Sequence, residues 1–286
     1  MICLRSSSKF YLFCLVALLL TSSVRPAGQS PGMSVTPANP AIIVGQTQQF
    51  TANRMQVPAA IAGGGYHTCM LFDDQSVRCA GHNNFGQLGN GQFTDSSTLV
   101  VASGVTTSVG VGAGIEHSCA LLADGTARCW GTNFVGQLGD GTVGGGSEVP
   151  KAVQGLTSAV ALAVGGYHNC ALLADRTVRC WGRNQDGQLG NGNNTTDAGT
   201  PQTVSGLSGV AALALGGYHS CALMPDGTAR CWGRNDRGQV GDGTSNSSSP
   251  ARPCRFAAMS WLRTRPVHWS ITGTRAGAAL PRASTE

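Results

Sequence analysis

Residues Gly112 to Gly141 read GAGIEHSCALLADGTARCWGTNFVGQLGDG, and the fold is decided by the recurrence of this string along the chain. Its other copies are GGGYHTCMLFDDQSVRCAGHNNFGQLGNG from Gly63, GGYHNCALLADRTVRCWGRNQDGQLGNG from Gly165 and GGYHSCALMPDGTARCWGRNDRGQVGDG from Gly216. The cysteines that open the four copies, Cys69, Cys119, Cys170 and Cys221, are spaced 50, 51 and 51 residues apart. Self-similarity at a fixed period marks a repeat architecture, in which each unit buries its apolar face against a neighbour. In the third unit, Val160 to Val164, His168 to Leu173, Thr177 to Trp181 and then Gln202 to Val204 are short apolar runs bounded by Gly, Asp, Asn or Pro. Such runs read as strands. Four of them per unit predict the blade of a β-propeller. Helical repeats would need longer runs with 3.6 periodicity, and the coils of a parallel β-helix are shorter than this unit. The expected fold class is all-β: a partial β-propeller of about four four-stranded blades over residues 57–252, with the ring not closed.

Each unit pairs its cysteines as C-x9-C. If Leu122 to Thr126 is a three-residue hairpin loop, a type I turn followed by Gly125 in the left-handed region, then Leu122 faces Thr126. Counting outward, Cys119 falls opposite Cys129 in a non-hydrogen-bonded pair, whose Cα atoms lie about 4.5 Å apart, within reach of a disulfide. The same count predicts Cys69–Cys79, Cys170–Cys180 and Cys221–Cys231. Gln75 and Arg176 stand where the turn glycine should be, so those two hairpins are expected to be strained. Zinc is the competing reading, because His117, Cys119 and Cys129 share a strand face. A fourth ligand is lacking in every unit except the first, where His82 is a candidate, so bridges are favoured and no metal is predicted.

His67, His117, His168 and His219 recur too regularly for a single active site. Each is expected to bond a backbone group of its own hairpin. Trp130, Trp181 and Trp232 follow the second cysteine in three units, with Ala80 in the first, and are expected in the core between blades. The G-Q-L-G-x-G strings resemble a phosphate-cradling loop superficially, but no Lys-Ser/Thr follows and the flanks are strand and polar loop, so tight turns explain them. Asp140, Asp186 and Asp242 lack the spacing of a calcium loop. Asn193, Asn194 and Asn246 lie in glycosylation sequons.

Gly-Gly, H-x-C-A-L, D-G-T, C-W-G and N-x-x-G-Q-L-G-x-G together resemble the repeat of the regulator of chromosome condensation family, over residues 57 to about 250. The resemblance implies a propeller, usually of seven blades, which is more than four units supply. A plant photoreceptor of that family carries tryptophans two residues before the repeat histidine. The matching positions here are Gly65, Ile115, Gly166 and Gly217, which gives light sensing no support.

Glycine fills 41 of 286 positions and charged residues only 12%. That composition excludes coiled coils and polyelectrolyte disorder and fits turn-rich β structure. Arg5, Lys9 and Arg25 put +3 into the first 25 residues, and five arginines against Glu286 put +4 into residues 253–286. The overall +5 therefore leaves −2 for residues 26–252, so the repeats lack the basic surface of a nucleic-acid binder and no such partner is predicted. Phe10 to Leu20 form an apolar run behind two positive charges and ahead of Thr21-Ser22-Ser23, the order of a secretory signal peptide, taken as residues 1–25. Residues 26–56 read as a linker in which Met33 to Ala52 resemble the first two strands of an immunoglobulin-like domain. After Pro250 the pattern is expected to fail. Residues 253–286 read as a non-repeat, disordered tail with an unpaired Cys254, as if a longer array had been truncated by a shifted frame.

Export supplies the oxidising compartment that the bridges need. No unit holds an acid, base or nucleophile absent from the others, so the sequence predicts no enzyme, no catalytic residue and no cofactor. It predicts an exported scaffold, secreted or on the cell surface or in the periplasm, with no membrane span after signal removal. It would bind a protein or surface glycan through the loops Gln92–Thr98, Val143–Glu148, Asn193–Thr200 and Thr244–Ser249. The alternative implied by the family resemblance is guanine-nucleotide exchange.

Overall fold

The computed structural model describes residues 33–37, 50–54, 56–193 and 196–254. The predicted signal segment, most of the predicted tail, and Asn194 lie outside the described residues. The chain divides into two compact units, residues 1–57 and 58–286. In the first, β1 (Met33–Pro37) pairs antiparallel with β2 (Phe50–Arg54).

Among the described residues the second unit holds four antiparallel sheets of four strands, each taken up in sequence order. The first blade comprises β3 (Pro58–Gly63), β4 (His67–Phe72), β5 (Val77–Gly81) and β6 (Ser96–Val101). The second comprises β7 (Ser108–Ala113), β8 (His117–Leu122), β9 (Ala127–Thr132) and β10 (Gly146–Ala152). The third comprises β11 (Ala159–Val164), β12 (His168–Leu173), β13 (Val178–Gly182) and β14 (Ala198–Thr203). The fourth comprises β15 (Ala212–Leu215), β16 (His219–Leu223), β17 (Ala229–Gly233) and β18 (Ser248–Pro253). This is an all-β propeller arc, and among the described residues the ring is not closed.

Each β-hairpin has the three-residue loop read from the sequence. In the second blade Gly125 N–H donates to Leu122 O at 3.0 Å and Leu122 N–H to Thr126 O at 2.9 Å, with Gly125 at φ 78°. Asp124 locks the turn by accepting from the Thr126 N–H at 2.9 Å and the Thr126 hydroxyl at 2.7 Å. Those bonds hold the Asp124 carboxyl below the usual carboxylate range. Asp74, Asp175 and Asp226 repeat the arrangement. Gln75 and Arg176 do take the left-handed conformation, each at φ 64°, without glycine's freedom.

This register sets Cys69, Cys119, Cys170 and Cys221 directly opposite Cys79, Cys129, Cys180 and Cys231. Each pair is a disulfide with Cα atoms 4.1 Å apart.

Alternation along a strand then builds the core between blades rather than within them. In β8, Ala120 and Leu122 pack back against Cys69, Leu71 and Val77 of the first blade. Cys119 and Leu121 face forward onto Ala171, Leu173 and Trp181 of the third. A third cluster joins the third blade to Ala222 and Trp232 of the fourth. Every residue of β8 and β12 is consequently buried, because both faces of those strands are covered.

Two boundaries differ from the sequence reading. Regular pairing in the fourth blade runs past Pro250 to Pro253, which lies opposite Arg230. A ladder is made by the main chain, so it persists where the repeated side-chain string lapses. Likewise the far ends of the four expected loops are strand: Ser96, Ala198 and Ser248 lie opposite Gly81, Gly182 and Gly233, and Gly146 opposite Thr132.

Candidate functional site

Antiparallel order brings the end of the first strand, the start of the second, the end of the third and the start of the fourth to one edge of every blade. That edge carries the turn before the repeat histidine and the long loop holding N-x-x-G-Q-L-G-x-G. The opposite edge carries the Asp-locked hairpins. The loops that differ between units in length therefore emerge on one face.

The long loops are held by hydrogen bonds within their own repeated string. In the first blade Leu88 N–H donates to Asn83 Oδ1 at 2.9 Å, while Asn83 Nδ2 donates to Gln92 O at 2.8 Å and Thr94 O at 3.0 Å. Gly86 N–H is spent on Asn83 O, Gly89 N–H on Gly86 O and Gly91 N–H on Glu148 O of the next blade. Asn133, Asn184 and Asn235 hold the equivalent loops. These amides already have partners, so the string is not a phosphate cradle. Asp140 and Asp242 each accept from the N–H and hydroxyl of the threonine two residues on.

The repeat histidines do not bond their own hairpins. His67 Nε2 lies 2.7 Å from Ser118 Oγ, His117 Nε2 lies 2.9 Å from Asn169 Oδ1 and His168 Nε2 lies 2.8 Å from Ser220 Oγ. Each partner stands just before the first cysteine of the following blade. Ser118 commits its hydroxyl proton to Gln87 O at 2.9 Å, so His67 must be the donor in its bond. Gln87 O also accepts from Trp130 Nε1 at 2.9 Å. Gln137 O accepts from Asn169 and Trp181, and Gln188 O from Ser220 and Trp232. A clasp of His, hydroxyl or amide, Gln carbonyl and Trp thus closes each of the three seams. The indoles press on Gly89, Gly139 and Gly190, where an added Cβ would come within 2.8 Å of ring atoms.

Burial pushes His67 and His117 down to about 4 and His168 to about 3, the neighbouring histidines adding to the effect for His67 and His168. They are neutral at ordinary pH and shut away from solvent, which suits a clasp and not acid–base chemistry. His219 faces the open side of the fourth blade, and no such partner reaches it among the described residues. The sulfurs that a zinc site would need are spent in bridges. Among the described residues no three His, Cys, Asp or Glu side chains gather closely enough to hold a metal ion. The depression on the propeller axis is lined by glycine, alanine and aliphatic residues such as Gly65, Gly114 and Gly166, with no titratable group.

What the loop-bearing face does offer is aromatic and cationic. Tyr66, 67% exposed, stands edge-on to His82, their centroids 6.0 Å apart. Tyr167 and Tyr218 lie 5.8 Å apart, and the Arg183 and Arg234 guanidinium groups sit 5.3 and 5.4 Å from the Tyr218 ring centre. Farther out Phe85 meets Phe134, which is 58% exposed, at 5.8 Å. Asn193 and Asn246 are exposed on the same loops. Sequence reasoning missed this strip because it weighed the histidine of G-Y-H and passed over the tyrosine beside it.

The Regulator of chromosome condensation (RCC1) repeat matches this chain at residues 59–87, 109–137, 159–188 and 210–239, and in a second form at 124–172 and 177–223. Similar proteins include the human probable E3 ubiquitin-protein ligase HERC3, 40% identical over 226 residues, which are 78% of this chain and 21% of that protein. Another is the Arabidopsis thaliana RCC1 domain-containing protein RUG3, mitochondrial, 33% identical over 63% of this chain and 43% of that protein. The chain thus spans less than half of either relative. Among solved structures, human WBSCR16 superposes with a TM-score of 0.63 at 25% identity, over 72% of this chain and 56% of that one. Yeast RCC1 (Prp20), solved with Kap60, gives 0.66 at 20% identity over 75% and 52%.

Proposed function

Because the chain belongs to the regulator of chromosome condensation repeat family, we propose that it is an exported, non-catalytic scaffold holding a protein or surface glycan on its loop-bearing face. The observation that carries this reading is that the loops that differ in length between units, with their exposed aromatic and cationic side chains, emerge on one face, over seams that are closed and alike. A binding surface of tyrosine, phenylalanine and arginine on rigid loops suits recognition at low entropic cost. The four bridges, three of them fully buried, favour an oxidising compartment, where such bonds persist. Guanine-nucleotide exchange rests on the family resemblance alone, and a fold does not transmit an activity. The ligase activity named for HERC3 is not carried over from a match covering 21% of that protein.

The test is a screen of glycans and surface proteins against the wild-type chain and the double variant Tyr66→Ala/Tyr218→Ala, with fractionation of a tagged copy. A ligand captured by wild type and lost by the variant, with the tag outside the cytosol, supports the reading. A reduced, cytosolic product, or binding indifferent to both tyrosines, contradicts it.

A further inference from the structure

In the fourth blade a third sulfur joins the pair. Cys254 follows β18, and its N–H donates to Ala229 O at 2.9 Å. The residues making the equivalent bond in the first three blades are Ala102, Val153 and Val204, all buried and aliphatic. Here that position carries a free, half-buried thiol whose Sγ lies 2.8 Å from Cys231 Sγ, itself bridged to Cys221.

We propose that these three residues form a thiol–disulfide exchange site. The Cys254 thiolate attacks Cys231 Sγ. The Cys231–Cys254 bond forms as the Cys221–Cys231 bond breaks, and Cys221 leaves as a thiolate that takes up the proton Cys254 released to solvent. One disulfide and one thiol stand on each side of the step, so no oxidant or reductant is consumed. Closing 2.8 Å to the bonded separation of about 2.05 Å asks for a movement under 1 Å. The sulfurs approach diagonally across the β17–β18 ladder, where Cα atoms lie about 7–8 Å apart. That lies just beyond the roughly 7 Å a disulfide spans without backbone movement, so the β17–β18 ladder must draw together for the exchanged bridge, and the original bridge is the major form and the exchanged one the minor. Burial and the Asp242 carboxylate, which Arg252 faces at 3.6 Å, push the Cys254 thiol up and keep its thiolate scarce at neutral pH. The step moves the staple from the inner hairpin to the outer strand and frees Cys221 on the open side of the blade, where Leu223 is 45% exposed.

The test is alkylation of the full native chain without reductant, at neutral and mildly alkaline pH, followed by quantifying the label at each cysteine. Label should accumulate at Cys221 as well as Cys254, several-fold above Cys69, Cys119 and Cys170, which have no third sulfur. Cys254→Val, which installs the residue found at 204, should abolish the Cys221 label. Cys221→Ser should leave Cys231 and Cys254 bridged and both unlabelled. Label confined to Cys254, label at Cys221 that survives Cys254→Val, or two labelled thiols in Cys221→Ser would each overturn the proposal.

Discussion

At the scale of single residues, Gln75 and Arg176 show how little the hairpin tolerates. Both are exposed, both sit at φ 64°, and both keep the hydrogen bonds that Gly125 and Gly227 make in their own blades. A side chain in the left-handed region costs about 1–2 kcal/mol, and glycine gives back part of that through the freedom of the unfolded chain. Gln75→Gly and Arg176→Gly should therefore each stabilise the protein by ~0.5–1 kcal/mol in urea unfolding. An unchanged or lower midpoint would refute the strain. This feature was legible before any coordinates, because one missing glycine in an aligned hairpin is a local fact. The partner of His117 was not. It stands 52 positions downstream on Asn169, and no argument within one repeat can say which neighbour a side chain reaches.

At the scale of the hairpin, register does the positioning. Once the turn is three residues long, opposite cysteines follow by counting, and the disulfides needed no tertiary information. Removing one bridge, as in Cys119→Ala/Cys129→Ala, should cost ~2–3 kcal/mol, the loop-closure contribution expected for so short a loop. The loss should appear in calorimetry under oxidising conditions and vanish when wild type and variant are compared fully reduced. The role of Gln137 escaped sequence reading for the same reason as that of the histidine. Its carbonyl serves Asn169 and Trp181 across a seam, and a backbone acceptor leaves no mark on the residue's identity. The reach of β18 past Pro250 was missed in the opposite direction, by trusting side chains where the main chain decides.

At the scale of the whole arc, the two ends differ from the middle. Leu172 is 6% exposed and Leu223, its counterpart in the fourth blade, 45%. Leu172→Ala should cost ~2–4 kcal/mol and Leu223→Ala under ~1 kcal/mol, compared by urea midpoints. Equal losses would mean that the fourth blade is covered in solution. The seams also set a pH response. Histidine titrates at 6.5 when exposed, whereas His67 and His117 are held to about 4 and His168 to about 3. Between those limits the unfolded chain binds the extra protons, so stability is full above about pH 6.5 and drains as pH falls toward 4. Three groups together can remove up to about 4 kcal/mol per pH unit inside that window. Melting temperature should drop between pH 7 and pH 5, and His117→Gln, which cannot titrate, should flatten the slope. The bound carboxylates of Asp74, Asp124, Asp175 and Asp226 respond at lower pH, which keeps the two effects apart. The clasp has one more consequence. Every joint offers the same donor on its leading side and accepts the same donor on its trailing side, so modules are interchangeable in sequence. A copy duplicated between the second and third would meet matching chemistry at both of its edges, and an array of this kind can lengthen or shorten by whole modules without inventing a new contact.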